Sequence, residues 1–322
     1  MTQSPTLSIV SPTRGNFSGY WLEQLLNIKG NIEFNLVYPP DVTPVNIADS
    51  RVKIIVSPYK GEVIQRLIGL LNAQGKYVLA LDDDDFAHPD LYLLVESYFN
   101  RFPESWVLRL GKVGIDGKEE EKIKSPWQKI PDINQLDVWT RQGRKTHGFE
   151  SEEEKLLELP IVPLETKFDR QFLISPYHKR KDMNGIHIEN FNNKVWRNDL
   201  VNESLRDLSE TTHLFGHLKW IPKWNLDRLL GLFLQAKFYV KDKIVGHWIL
   251  GSEQIRYILV NQALKGDFRL MLPSDGLLVK RFPQYGYFWN LSFEQFWIAV
   301  KKLGRRALSN KVTTLEKIVN LK

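Results

Sequence analysis

The chain has 322 residues, 43% of them hydrophobic and 25% charged, a composition typical of an ordinary globular protein. That length passes the ~250 to 300 residues at which one hydrophobic core stops growing, so one elaborated domain or two closely packed ones are expected and a small binding module is excluded. There is no cysteine, which removes disulfides, thiolate metal sites and cysteine nucleophiles, and the whole net charge of +6 lies in the tail, where Lys301 to Lys322 carry seven Lys/Arg against one acid, Glu316.

In chain order, Leu7 to Ser11 reads as a short strand closed by Pro12, and Trp21 to Ile28 as a helix. Ile32 to Tyr38 ends at Pro39-Pro40 and Val52 to Ser57 at Pro58, both strand-like runs with a stop. Val63, Ile64, Leu67, Leu70 and Leu71 follow the helical period before Gly75, and Tyr77 to Leu81 is a continuous apolar strand. Such alternation predicts an α/β fold with a mostly parallel sheet flanked by helices. Charge-dense stretches such as Lys118 to Lys124 and Glu150 to Lys155 give residues 111–190 the look of an irregular connecting region. Order returns with a helix over Trp220 to Ala236 and a strand pair about Lys237 to Ile249. No stretch reaches the ~18 apolar residues of a membrane span. With no Lys or Arg before Arg14, the N-terminus does not read as a secretory signal, and cytoplasmic residence is expected.

Asp82-Asp83-Asp84-Asp85 follow directly on the Tyr77 to Leu81 strand. Ligands of open α/β sheets gather beyond the carboxyl ends of strands, and four adjacent acids repel one another unless a cation compensates them. Hard divalent ions take oxygen ligands and keep positions for substrate phosphates, so a metal–phosphate site is expected there. A solvated acidic turn ahead of the helix after Pro89 is the alternative.

Three segments share their order with a known family: Ser8 to Arg14 (SIVSPTR), Arg66 with Gly69, and Ala73 to Asp90 (AQGKYVLALDDDDFAHPD). On these the sequence resembles the GT-A-fold glycosyltransferases of family 2 over about residues 7 to 100. The resemblance implies that Asp82, with Asp83 beside it, meets the nucleotide, that Asp84 ligates Mn²⁺ or Mg²⁺ at the donor diphosphate, and that Pro12, Thr13 and Arg14 border the nucleotide. Arg66 is implied at the nucleotide or diphosphate, with a solvated helix-face arginine as the alternative. The strand that runs into Tyr38-Pro39-Pro40-Asp41 lacks the family's acidic pair, which leaves a UDP-sugar as the default donor.

Inverting transfer by this family needs a general base, and Asn225-Leu226-Asp227-Arg228 is the nearest counterpart of its acidic pair, with one acid missing. Asp227 is the candidate base, with stabilisation of a helix N-terminus as the alternative. His247 stands where some members place a further metal ligand, a structural histidine being the alternative. His213 and His217, four apart, read as packing or surface residues. The Tyr177 to Lys181 run is either a diphosphate contact or a solvated loop.

The expected organisation is a nucleotide-sugar-binding half over residues 1–110, the connecting region 111–190, an acceptor-side half over 191–278 and a basic amphipathic C-terminal segment over 279–322. Phe293, Phe296, Trp297 and Val300 recur at helical spacing ahead of Lys301, Lys302, Arg305 and Arg306, which suits peripheral membrane contact or packing on the fold. A basic excess confined to the tail speaks against nucleic acid as partner. The acceptor is a carbohydrate or lipid-linked hydroxyl. Two other classes remain: a sugar-nucleotidyltransferase, and a non-catalytic nucleotide-sugar-binding protein that kept the fold.

Overall fold

A computed structural model describes residues 4–140, 153–182, 187–212, 223–259 and 271–319, with side chains at all of these but 211–212, 223–225 and 305–319. The apolar runs near the N-terminus become strands because β-branched and aromatic residues fit a doubly covered sheet. They are β1 (Leu7–Pro12), β2 (Ile32–Tyr38), β3 (Val52–Val56) and β4 (Tyr77–Ala80). β1, β2 and β4 are buried along their whole length. Helices α1 (Gly19–Leu26), α2 (Glu62–Leu71) and α3 (Leu91–Arg101) alternate with them. Gly69 lets α2 lie close on the sheet: a Cβ there would come within 2.4 Å of a Val10 methyl and 2.9 Å of one from Val37.

Among the described residues the main sheet has nine strands in the order β3-β2-β1-β4-β10-β6-β11-β9-β8, with β8 at Val138–Trp139 and β9 at Lys155–Pro160. β3, β2, β1 and β4 run parallel, β10 (Lys194–Arg197) is antiparallel to both its neighbours, and β11 (Ile244–Leu250) is parallel to β6 (Val107–Arg109). A second, three-stranded sheet joins β5 (Phe86–Ala87), β12 (Ile255–Leu259) and β7 (Lys112–Asp116).

The described residues of 111–190 are more ordered than their composition suggested. They contribute β7, the short helix α4 (Glu120–Ile123), β8 (Val138–Trp139) and β9 (Lys155–Pro160), and β9 pairs with β11 inside the main sheet. Charged residues dominate this stretch, yet Leu156, Leu157 and Leu159 supply the buried positions a strand needs. The region after 190 is equally part of that sheet, since β10 lies between β4 and β6. Helices α5 (Asn198–Thr212) and α6 (Lys223–Lys237) pack on each other, and α6 buries Leu226, Leu229, Leu230 and Phe233 as its period predicted.

The chain divides into two units, Met1–Val162 with Asn184–Gly266, and Pro163–Met183 with Asp267–Lys322. The second is built from α7 (Leu272–Arg281), α8 (Gly286–Val319) and the segment from Pro163. Its aromatic stripe is partly used inside the unit: Phe293 meets Phe168 at 5.2 Å, and the Trp297 indole donates to the Phe172 carbonyl at 2.7 Å. Phe296, Val300 and Leu303 remain exposed. No helix among the described residues is long and apolar enough to cross a membrane.

Candidate active site

The acidic turn leaves the carboxyl end of β4, and backbone bonds shape it: the Asp85 N–H donates to the Asp82 carbonyl at 3.2 Å. The buried Trp21 of α1 reaches across and donates its indole N–H to the Asp85 carbonyl at 2.9 Å. Asp82, Asp84 and Asp85 thereby offer carboxylate oxygens that all lie within 4.8 Å of one another, the one such group of potential ligands among the described residues. Asp85 is the member the sequence did not single out. Only 1% exposed, it accepts from the Ile258 N–H at 3.2 Å through Oδ1, while its buried Oδ2 has no hydrogen-bond partner among the described residues. Burial first, then the charges of Asp82 and Asp84, push its carboxyl up to about 8. An orphaned buried oxygen beside two further carboxylates is what a hard divalent cation would satisfy, and an all-oxygen donor set suits Mg²⁺ or Mn²⁺.

Around the turn the expected nucleotide-side residues come together. Arg66 of α2, 3% exposed, forms an ion pair with Asp82 and a longer one with Glu62 at 3.6 Å, so it is a buried partner of the turn and not a solvated helix-face residue. Asp83 is not a member of the triad, and it accepts from the Arg14 backbone N–H at 3.4 Å. Pro12 ends β1, and Thr13 is pinned by Gln65, whose Nε2 donates to the Thr13 carbonyl at 2.8 Å. Thr13 Oγ1 accepts from the Gly15 N–H at 2.9 Å.

The other flank is assembled by strand register. Val195 stands opposite Leu79 and Leu108, and Lys194 opposite Arg109, which in turn faces Trp248. Lys194 and Arg109 therefore sit at the same edge of the sheet as the acidic turn. Arg109 lies over the Trp248 ring at 3.7 Å. Burial lowers both cations, Arg109 to about 10 and Lys194 to about 7, with nearby Asp227 opposing the shift at Lys194. Neither residue carried a sequence signal, because a lysine and an arginine 85 positions apart become neighbours only through the pairing of β10 with β6.

Asp227 joins this flank. Its Oδ1 accepts from the Asn192 N–H and its carbonyl accepts from the Phe191 N–H at 3.0 Å, which ties the first turns of α6 to the loop before β10. Asn193 in that loop has φ of 56°, a conformation asparagine tolerates better than most residues.

His247 is not brought to the acidic turn. It shares a row with Leu79, three strand spacings away, which is about 14 Å at the usual strand separation. Its ring is 5% exposed, its Nδ1 bonds the Tyr98 hydroxyl at 2.8 Å, and Phe102 packs on it at 4.3 Å. Burial, then Arg101, lower it to about 4, so it is a neutral core histidine in place of the expected metal ligand. The Tyr177 to Lys181 run is likewise engaged internally: His178 bonds Asp169 at 2.7 Å and Arg180 pairs with Asp182 at 2.7 Å. His213 and His217 lie outside the described residues.

A family comparison singles out the same segment. Residues 41–149 match the family model Glycosyl transferase family 2. The matched segment contains the acidic turn and two of the three segments that carry the sequence resemblance, Arg66 with Gly69 and Ala73 to Asp90, while Ser8 to Arg14 lies before it. No curated protein matches the chain. Among solved structures, S. aureus TarS 1-349 in complex with UDP is similar over 85% of this chain and 70% of that one, with 13% identity and a TM-score of 0.45. S. aureus TarS 1-349 in complex with UDP-GlcNAc is similar over 87% and 72%, with 12% identity and a TM-score of 0.46. At such identity and superposition these ligands are statements about TarS alone, and the reading of this chain rests on its family segment and its own geometry.

Proposed function

We propose that the protein is a metal-dependent, inverting glycosyltransferase that moves a sugar from a nucleotide-diphosphate donor, a UDP-sugar in the first instance, to an acceptor hydroxyl. The observation that carries this reading is the carboxylate triad of Asp82, Asp84 and Asp85 at the end of β4, inside the segment that matches the family. Asp84, with Asp82 and Asp85, would hold Mn²⁺ or Mg²⁺, and the bound ion would supply charge neutralisation to the donor diphosphate. Pro12, Thr13, Arg14 and Asp83 line the nucleotide side, and Arg66 keeps Asp82 oriented through their ion pair.

Transfer in this scheme forms a bond from the acceptor oxygen to the anomeric carbon as the bond from that carbon to the diphosphate breaks. Asp227 takes the hydroxyl proton. The backbone N–H of Asn192 fixes one carboxylate oxygen and leaves the other to act as base. The acceptor is a carbohydrate or lipid-linked alcohol, and cytoplasmic residence belongs to this reading. With Phe293 and Trp297 engaged internally, Phe296, Val300 and Leu303 beside Lys301 and Lys302 form the surface offered to an anionic membrane.

Calorimetry with UDP, with and without Mn²⁺, tests the site. Wild type should bind UDP more tightly with Mn²⁺, and Asp84→Asn should lose about 100-fold of that gain, since even an outer partner of a metal ligand costs 10 to 100-fold. Equal metal-dependent affinity in both proteins removes the metal assignment. Donor binding without transfer to any acceptor would instead mark a non-catalytic nucleotide-sugar binder, and pyrophosphate release from a nucleoside triphosphate would mark a nucleotidyltransferase.

A further inference from the structure

Two cations face each other across adjacent strands on the flank that holds Asp227. Lys194 at the start of β10 is directly opposite Arg109 at the end of β6, and opposed residues project to the same side of a sheet with Cβ atoms about 5 Å apart. Like charges in that relation destabilise a sheet. Lys194 is buried, 8% exposed, while Arg109 is half-buried and stacked on Trp248. Lys112, three residues after Arg109, adds a third positive charge to the field felt at Lys194.

Among the described residues nothing neutralises the pair directly. Among the described residues neither Lys194 nor Arg109 makes an ion pair, and the Lys194 ammonium has one hydrogen bond, to the Asn192 carbonyl at 3.0 Å. An ammonium has three donors and a guanidinium five, so most of their capacity is unspent. Among the described residues, Asp227 is the carboxylate whose charge acts on Lys194. A like-charge pair, one member buried and the other half-buried, with unused donors at the sheet edge where ligands gather, is built to receive an anion.

We infer that Lys194 and Arg109 form a subsite for an oxyanion carried by the acceptor, so that the substrate class is an alcohol bearing a phosphate or carboxylate group. The inference rests on the glycosyltransferase reading and adds the acceptor's chemistry to it. Position assigns the anion to the acceptor and not to the donor. Arg109 stands two strand spacings, about 10 Å, from β4, whose turn would hold the donor diphosphate, and three, about 14 Å, from β1, whose end carries Pro12, Thr13 and Arg14, while Lys194 adjoins the proposed base. An anion held between Lys194 and Arg109 would bring a hydroxyl of the same molecule to Asp227. Trp248, held flat under the guanidinium, fixes the direction in which Arg109 presents its donors.

The test is a calorimetric titration of inorganic phosphate into the full chain with Mg²⁺ and saturating UDP, at constant ionic strength. Wild type is expected to bind phosphate saturably while UDP stays bound. Lys194→Met and Arg109→Met should each weaken phosphate at least tenfold and leave UDP affinity within about twofold. Exchanging a buried charge for an apolar chain of similar volume is often neutral or stabilising, so these variants should keep or raise the melting temperature. If either fails to fold, the corresponding glutamine variant carries the measurement. The inference is overturned if wild type does not bind phosphate beside UDP, or if the variants bind it as wild type does. Competition between phosphate and UDP also overturns it, by giving the two cations to the donor diphosphate. Absence of metal-dependent UDP binding is the separate failure of the glycosyltransferase reading, and takes the acceptor subsite with it.

Discussion

The two flanks of the site are built by different means. Asp82 to Asp85 are consecutive, follow one strand, and are fastened by a short backbone turn and one tryptophan. Lys194, Arg109, Trp248 and Asp227 come from three strands and a helix, and meet because β10 enters the sheet antiparallel between β4 and β6. A contiguous turn keeps its chemistry wherever its strand ends. A flank made by register depends on every strand pairing between its members, and a one-residue slip would send each side chain to the other face.

Asp227→Asn gives the largest expected effect, because it removes the proposed base and leaves the donor flank intact. Turnover should fall about 10² to 10⁴-fold, the usual worth of general-base catalysis, with UDP affinity unchanged. Near wild-type turnover on an identified acceptor would reduce Asp227 to a residue that anchors α6 to the loop before β10. The register flank can also be broken at Gly246, where a Cβ would sit 1.8 Å from the Val107 carbonyl oxygen. Gly246→Ala should cost about 3 kcal/mol in urea unfolding, near the top of the range for overpacking. If the variant unfolds at the wild-type midpoint, β11 and β6 are not packed this closely.

Trp21→Phe probes the contiguous flank more gently. It keeps the buried ring but loses the bond to the Asp85 carbonyl, with an expected cost of about 1 kcal/mol and a weaker Mn²⁺ response. An unchanged Mn²⁺ titration would show that the turn holds its shape without the indole.

His247 separates a core histidine from a ligand by its pH dependence. Folded, it is lowered to about 4, so between that value and its ordinary 6.5 the unfolded chain binds more protons. Its contribution to stability is therefore complete above about pH 6.5 and is lost as pH falls through about 4. Urea midpoints of wild type and His247→Phe should converge or cross as pH drops from 7 to 4, and parallel curves would refute the neutral, buried assignment. The smallest effect is expected from the tail: flotation with anionic liposomes at low salt, weakened at high salt and absent when the chain ends before Lys301. A full-length protein that stays down even at low salt leaves the tail without a membrane role.

The sequence carried the parallel half of the fold and the acidic turn, because both are written locally: apolar runs stopped by proline, a helical period, four carboxylates after a strand. It left His247 open between metal ligand and structural histidine, and only the pairing of β11 with β6 puts it against Phe102 and beside Tyr98. It passed over Asp85, since nothing among four identical residues marks which one turns inward beneath Ile258. Residues 111–190 looked irregular because charged residues outnumber the few leucines that place β9. In each case the deciding contact comes from a residue far away in the chain.

The late arrival of β10 also bears on how the chain folds during synthesis. Its partner β4 ends at Ala80, but β10 ends at Arg197. At about 5 to 20 residues per second, a growing chain would carry an unfilled β4 edge for roughly 6 to 23 s before the strand that covers it emerges. An open, wholly apolar strand edge is a template for pairing with another chain. Fragments that stop short of Arg197 should therefore aggregate even though they contain the entire acidic turn, and the shortest folded form of the site must include both.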